Sequence, residues 1–199
     1  MVQGVLATPV DGRPPYPGAV VCHAHPLFGG QMDSPVTSAI CQALTEQGVA
    51  TLRFNFRPFG EGATEAGGSA CVDAESALAT LRAWREVRPK QCGVVGYSAG
   101  AAAIARGLHG LKDAKAFVLI APPLSSVRSS QLGTDKRPKL FLAGSKDKIV
   151  EPEQLEALVA MMRQPAQLLK IEGADHTLRG HEQEVAEAAA LFLGELLRK

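Results

Sequence analysis

The sequence predicts an α/β fold, a mostly parallel sheet with helices on both faces. Three observations lead there. Strand-length apolar runs alternate with helical patterns from residue 18 to the end. The interior strand candidates are continuous apolar runs rather than alternating ones, as expected when both faces of a sheet are covered. The 20 glycines and 13 prolines cut the chain into short blocks.

The elements follow in chain order. Residues 2–10 and the stretch before Gly18 suggest an antiparallel edge hairpin around Asp11-Gly12-Arg13-Pro14-Pro15. Residues 18–25 read as the first interior strand and run into a loop rich in Pro and Gly. Residues 34–47 carry Val36, Ile40, Ala43 and Leu44 at helical spacing, with Gly48 as a stop. A strand is expected over 49–56. A helix follows over 70–85, with Cys71, Ala74, Leu78, Leu81 and Trp84 on one stripe. Residues 92–98 form a strand and 99–108 a small-residue helix. The strand over 115–121 is closed by Pro122-Pro123, and another strand spans 139–144. A helix over 151–163 carries Leu155, Leu158, Val159 and Met162. A last strand covers 166–172, and a closing helix over 182–198 carries Val185, Ala189, Phe192 and Leu196. No repeat or linker interrupts this order, so residues 1–199 are expected to form one domain.

Composition narrows the partners. The 199 residues suffice for one large core, burying on the order of 70% of the unfolded surface. With 46% hydrophobic and 21% charged residues, the chain is not of a disordered type. Lys and Arg number 21 and Asp and Glu 20, so the net charge is +1. That balance points away from nucleic acid and acidic membranes. The partner is then expected to be a small molecule, and a homodimer is one assembly left open. Met1-Val2-Gln3-Gly4-Val5-Leu6 has no basic leader, and the longest apolar stretch falls far short of the ~20 residues of a membrane span. The four cysteines are scattered, which fits neither zinc spacing nor a disulfide framework. A reducing, cytoplasmic location is expected, with no cofactor and no metal.

The sharpest local signal is Gly96-Tyr97-Ser98-Ala99-Gly100, a G-x-S-x-G pattern between a strand and a helix. Such a turn is tight enough to strain the serine backbone, by about 1–3 kcal/mol. The glycines remove side chains that would collide across it. The turn raises the Ser98 hydroxyl above the sheet and sets a helix N-terminus beneath it.

A serine hydroxyl needs a base. Of five histidines, His176 lies in a loop between the last strand and the last helix. In a parallel sheet that loop emerges at the carboxyl edge, where the serine turn also lies. The base needs an acceptor to fix its tautomer. Asp147 follows the strand over 139–144, at the same edge, and completes the order Ser98, Asp147, His176. Asp175 is the competing acid, but a residue adjacent to the histidine usually points away from it.

Acyl transfer also needs two N–H donors for a developing oxyanion. Ala99 supplies one. The loop His25-Pro26-Leu27-Phe28-Gly29-Gly30 is expected to supply the other, from Leu27 or, as second choice, Phe28, since Pro26 has no N–H. His25 is then expected to orient this loop.

With these parts in place, the chain resembles the α/β-hydrolases. More narrowly, it is similar to small uncapped bacterial serine hydrolases with a His-Pro-His-Pro-Leu-x-Gly-Gly loop, near the dienelactone hydrolase and carboxylesterase branch. The residues that carry the likeness are His23-Ala24-His25-Pro26-Leu27-Phe28-Gly29-Gly30-Gln31-Met32 and Leu52-Arg53-Phe54-Asn55-Phe56-Arg57. Ala24 stands where that pattern has proline, Ser98 where dienelactone hydrolases have cysteine, and Arg57-Pro58-Phe59-Gly60-Glu61-Gly62 in place of an Arg-Gly-x-Gly segment. The resemblance implies esterase-type activity and no particular substrate.

Larger relatives insert a cap before the strand that bears the acid. Here only residues 122–138 fill that gap. An open, shallow pocket is therefore expected, lined by Leu27, Phe28, Phe59, Tyr97, Leu124 and Ile149 and suited to short or medium acyl chains. Arg128, Lys136 and Arg137 are candidates for an acidic substrate group, with solvated loop charge the competing reading. Ester hydrolysis through an acyl-enzyme is the leading expectation. Thioesterase, lactonase, peptidase and non-catalytic binding readings stay open.

Overall fold

Burial on both faces decides which segments of this chain become central strands. The computed structural model describes residues 3–57 and 68–198. Its seven strands are β1 (Gly4–Ala7), β2 (Tyr16–Cys22), β3 (Ala50–Phe54), β4 (Val87–Tyr97), β5 (Phe117–Ile120), β6 (Lys139–Gly144) and β7 (Ala166–Ile171). They form one sheet in the order β1-β3-β2-β4-β5-β6-β7. Every neighbouring pair is parallel except β1 with β3.

The continuous apolar runs are split by the pleat. Val20, Cys22, Leu119 and Phe141 face one layer, while Ala19, Val21, Val118 and Leu142 face the other. The first layer holds α2 (Gly68–Ala83), α3 (Ala99–Arg106), α4 (Leu124–Arg128) and α5 (Pro152–Ala160). The second holds α1 (Pro35–Glu46) and α6 (Glu182–Leu197). Pro35 opens α1 at the first helical position, where its missing N–H costs nothing. Glu182 and Glu184 sit in the first turn of α6, matched to the positive end of the helix dipole.

The amino-terminal hairpin does not form. β1 pairs antiparallel with β3, Leu6 opposite Leu52. Both edges of β2 are taken, by β3 and by β4. A strand as buried as Gly18–Cys22 belongs in the sheet's interior, so β1 pairs along the outer edge of β3 instead. The chain between β5 and β6 holds α4 and one 3₁₀ turn, Gln131–Gly133. α4 escapes a periodicity reading because five residues carry too little pattern. This short connection builds no cap domain.

Arg128 and Arg137 are committed to the scaffold. The Arg137 guanidinium binds both Asp135 oxygens, donates to the Leu111 carbonyl at 2.6 Å and lies 4.5 Å over the Phe117 ring. Arg128 donates to Gln154 Oε1 over 2.6 Å. Buried Lys139 directs Nζ to the carbonyls of Asp135 and Arg163. Burial pushes its amine below the ordinary range. Arg137 and Lys139 stand before and at the start of β6, at the amino-terminal edge of the sheet.

α3 lies close on β2 because Gly100 has no side chain. A Cβ there would stand 2.4 Å from the Cys22 carbonyl oxygen. Gly100→Ala is expected to destabilise the protein by about 1–3 kcal/mol, read from the midpoint of urea unfolding.

Candidate active site

The site assembles where β2, β4, β6 and β7 end. β4 runs into α3 through Ser98, whose backbone has φ 50 and ψ −104. That is a left-handed value unusual for a residue with a side chain. Two features hold it there. The Ser98 N–H donates to the Ile120 carbonyl at 2.8 Å. A Cβ on Gly96 would come within 2.5 Å of the Gly100 carbonyl carbon, so only glycine permits the turn. Ala99 then opens α3, where backbone N–H groups lack intrahelical acceptors.

His176 follows β7. Its loop packs on the end of β6, where a Cβ on Gly144 would stand 2.3 Å from the Ala174 carbonyl oxygen. The Lys146 N–H donates to that carbonyl at 2.9 Å. His176 Nε2 lies 3.1 Å from Ser98 Oγ, and His176 Nδ1 lies 2.8 Å from Asp147 Oδ2. Asp147 Oδ1 accepts the N–H groups of Ile149 and Val150, each at 2.8 Å. One carboxylate oxygen is thus anchored to the backbone, and the other faces the imidazole. An ionised carboxylate only accepts, so Nδ1 carries the proton and Nε2 offers its lone pair to the serine hydroxyl. All three side chains are buried. The Tyr97 hydroxyl donates to the His176 carbonyl at 2.7 Å and steadies the loop.

Asp175 turns away. Its Oδ1 accepts from the Thr177 N–H and hydroxyl at 2.8 and 2.7 Å. The Thr177 hydroxyl bond is the main cause that holds its carboxyl below the usual range.

The loop after β2 is built from local bonds. Pro26–Phe28 is a 3₁₀ turn that starts at His25, whose Nδ1 accepts the Leu27 N–H at 3.1 Å. The Gly29 N–H donates to the Pro26 carbonyl at φ 73, and the Gly30 N–H donates to the His25 carbonyl. A Cβ on Gly30 would fall 2.0 Å from the Ala24 carbonyl oxygen, so the loop can double back only with glycine there. The Leu27 amide, the first choice for the second oxyanion donor, is therefore engaged with His25.

Below this loop, His23 is fully buried. Its Nδ1 lies 2.6 Å from the Ala24 carbonyl, and its Nε2 accepts the Phe56 N–H at 3.1 Å. A carbonyl cannot donate, so Nδ1 carries the proton and the ring is neutral. The Phe56 ring meets it edge-on at 4.8 Å. Burial lowers its pKa below the ordinary 6.5.

A cavity of about 240 Å³ opens beside Ser98 and His176. Its walls include Ala24, Gly30, Val36, Tyr97, Thr177 and Arg179. Of the pocket residues read from sequence, Tyr97 is one of these. Leu27 and Ile149 are 86% and 59% exposed, and Leu124 packs against the core on the α3 side. Phe59 and the Phe28 side chain lie outside the described residues. Val36 and Arg179 had no distinguishing signal. The first reads as helix core, and the second as one of many loop cations.

Among the described residues, no three His, Cys, Asp or Glu side chains gather as a metal site requires, and no helix is long and apolar enough to cross a membrane. Burial pushes the Cys41 and Cys92 thiols up to about 11 and Cys22 higher still, which keeps them protonated at neutral pH.

A serine at a strained strand-to-helix turn, joined through histidine to a buried carboxylate on a doubly wound sheet, defines the class of serine hydrolases. Residues 17–192 match the model of the alpha/beta hydrolase domain, and the chain belongs to that family. It is 29% identical to the uncharacterized protein RP471 of Rickettsia prowazekii, over 92% of this chain and 84% of that one. An alpha-beta serine hydrolase homologue from Coxiella burnetii superposes with a TM-score of 0.82 at 27% identity, covering 96% of this chain and 91% of that one. XC6422 from Xanthomonas campestris, described as a serine hydrolase without lid, has the same fold with a TM-score of 0.78 at 24% identity, covering 94% and 86%.

His23 generates a pH prediction. The native ring resists the proton that the unfolded chain takes up near 6.5. The unfolded state then binds more protons, so stability falls as pH drops below that value, by up to about 1.4 kcal/mol per pH unit. Replacing the ring in His23→Gln is expected to flatten this part of the curve, measured by urea unfolding across pH 5–7.

Proposed function

We propose that the chain is a carboxylesterase that works through an acyl-enzyme on Ser98. The observation that carries this reading is the continuous hydrogen-bonded path from Asp147 through His176 to Ser98, at 2.8 and 3.1 Å. His176 Nε2 takes the hydroxyl proton as Ser98 Oγ bonds to the ester carbonyl carbon. The resulting imidazolium is stabilised by Asp147. The negative oxygen is received by the Ala99 N–H and by a donor of the Ala24–Gly30 loop. The alkoxide leaves with the proton that His176 returns. Water then attacks the acyl-enzyme through the same base, which releases the acid and restores the serine.

The cavity supports a small acyl group. At about 240 Å³ it is below the ~300 Å³ at which ordinary ligand pockets begin. The absence of a cap domain favours substrates that bind at an open rim. Thioesters and lactones pass through the same tetrahedral chemistry, and kinetics on matched ester, thioester and lactone substrates rank the three. We take the substrate to be a small molecule met in the cytoplasm, without nucleic acid or membrane.

Two measurements test this reading. A fluorophosphonate probe is expected to label the wild type and not Ser98→Ala. The same substitution is expected to lower kcat on p-nitrophenyl acetate by about six orders of magnitude. Undiminished turnover would move the chemistry to another residue. Asp147→Asn is expected to cost on the order of 10⁴ in kcat, whereas Asp175→Asn leaves it nearly intact. The reverse ranking would reassign the acid.

A further inference from the structure

The segment Leu52-Arg53-Phe54-Asn55-Phe56-Arg57 stood out in the sequence, yet none of it belongs to the Ser98–His176–Asp147 path. Its contacts give it a task. β3 ends at Phe54, and the alternation of the strand continues through the next two residues. Phe54 and Phe56 enter the core on the α2 side, with ring centroids 5.0 Å apart. Arg53 and Asn55 lie on the opposite side of the chain and reach the loop that joins β2 to α1.

Three residues of this segment tie that loop down. At the loop's start, the Phe56 N–H donates to His23 Nε2 at 3.1 Å. Beyond Gly30, the Met32 N–H donates to Asn55 Oδ1 at 2.9 Å. One residue further, Arg53 Nε and Nη2 both donate to Asp33 Oδ1, at 3.2 and 3.1 Å. Asn55 is itself held from behind, because its N–H donates to the Gln3 carbonyl at 2.9 Å. The residues between these anchors, Ala24 to Gly30, include cavity walls and carry the second oxyanion donor proposed above.

We propose that Asn55 is a positioning residue for the oxyanion loop, its Oδ1 fixing the Met32 end while Phe56 and His23 fix the other. This rests on the esterase reading of the site. A backbone amide has no side-chain freedom of its own, so its aim at a developing charge is set by what holds the loop. Arg53–Asp33 is partly exposed and contributes little by itself. The Asn55 bond involves a neutral backbone donor in a half-buried position and gives the loop a fixed register. An oxyanion donor acts mainly in the transition state, so its misplacement reads in kcat rather than KM.

The test compares Asn55→Leu and Asn55→Ala, which lack the acceptor, with Asn55→Asp, which keeps an oxygen at that position. Each is assayed on p-nitrophenyl acetate, titrated with an aryl trifluoromethyl ketone as a tetrahedral analogue, and melted. Both acceptor-free variants are expected to lose kcat on the order of 10²-fold, as for a displacement near 1 Å, with KM little changed. Their ketone affinity is expected to fall in parallel, and Asn55→Asp is expected to recover most of both. Wild-type kcat in the acceptor-free variants overturns the proposal. So does a loss that Asn55→Asp fails to rescue, or a loss of kcat with ketone affinity intact. If Asn55→Leu does not fold, Asn55→Ala carries the same comparison. Wild-type protein that fluorophosphonate does not label refutes the esterase reading itself. Labelled wild type with indifferent Asn55 variants refutes only the positioning role.

Discussion

The contact on which the site depends most is the 2.8 Å hydrogen bond between His176 Nδ1 and Asp147 Oδ2. It selects the tautomer that leaves a lone pair facing Ser98. Its geometry is set from both sides. The Ile149 and Val150 N–H groups hold the carboxylate from below, and the Tyr97 hydroxyl holds the histidine backbone from the strand that delivers the serine. Three segments far apart in sequence thus meet through one imidazole. The meeting point exists because β4, β6 and β7 are parallel and end on the same side.

Close backbone approach is what brings these strand ends together. A Cβ on Gly30, Gly96, Gly100 or Gly144 would sit between 2.0 and 2.5 Å from the backbone of another residue of the site or its supports. Gly96, Gly100 and Gly144 lie at the end of a strand or just after one, and Gly30 lies in the loop that follows β2. They act as spacers of zero width: the loop after β2 folds on itself at Gly30, the serine turn closes at Gly96, α3 lies on β2 at Gly100, and the histidine loop seats on β6 at Gly144. The strain at Ser98 persists because these contacts and the bond to Ile120 leave the chain no roomier path.

The sequence showed those features whose physics is local or follows from strand direction. Continuous apolar runs marked the central strands, the carboxyl-edge argument pointed to Asp147, and the adjacency of Asp175 to His176 spoke against that competitor. Long-range pairing was less legible. Nothing in Gly4–Ala7 says that its partner is β3 rather than β2, because that follows from both edges of β2 being occupied. The cavity walls were also poorly legible. Val36 has the spacing of a core helix residue and takes part in the core, yet it also borders the cavity. Arg137 reads as a loop cation but is a bracket between Asp135 and three carbonyls of the stretch Leu108–Ala114, a role that depends on carbonyls no pattern reveals. Asn55 was visible as part of a motif, but its partner Met32 is 23 residues away, so its purpose was not.

The two borders of the sheet bear on how this chain behaves beside its own copies. β1 is four residues long, and β7 carries Lys170 paired with Glu156. A row of unpaired backbone groups invites another chain to add a strand, and such invitations are blunted by short length and by charge at the rim. Both devices are present, one at each margin. In a crowded solution, edge-to-edge zippering of these molecules is therefore disfavoured.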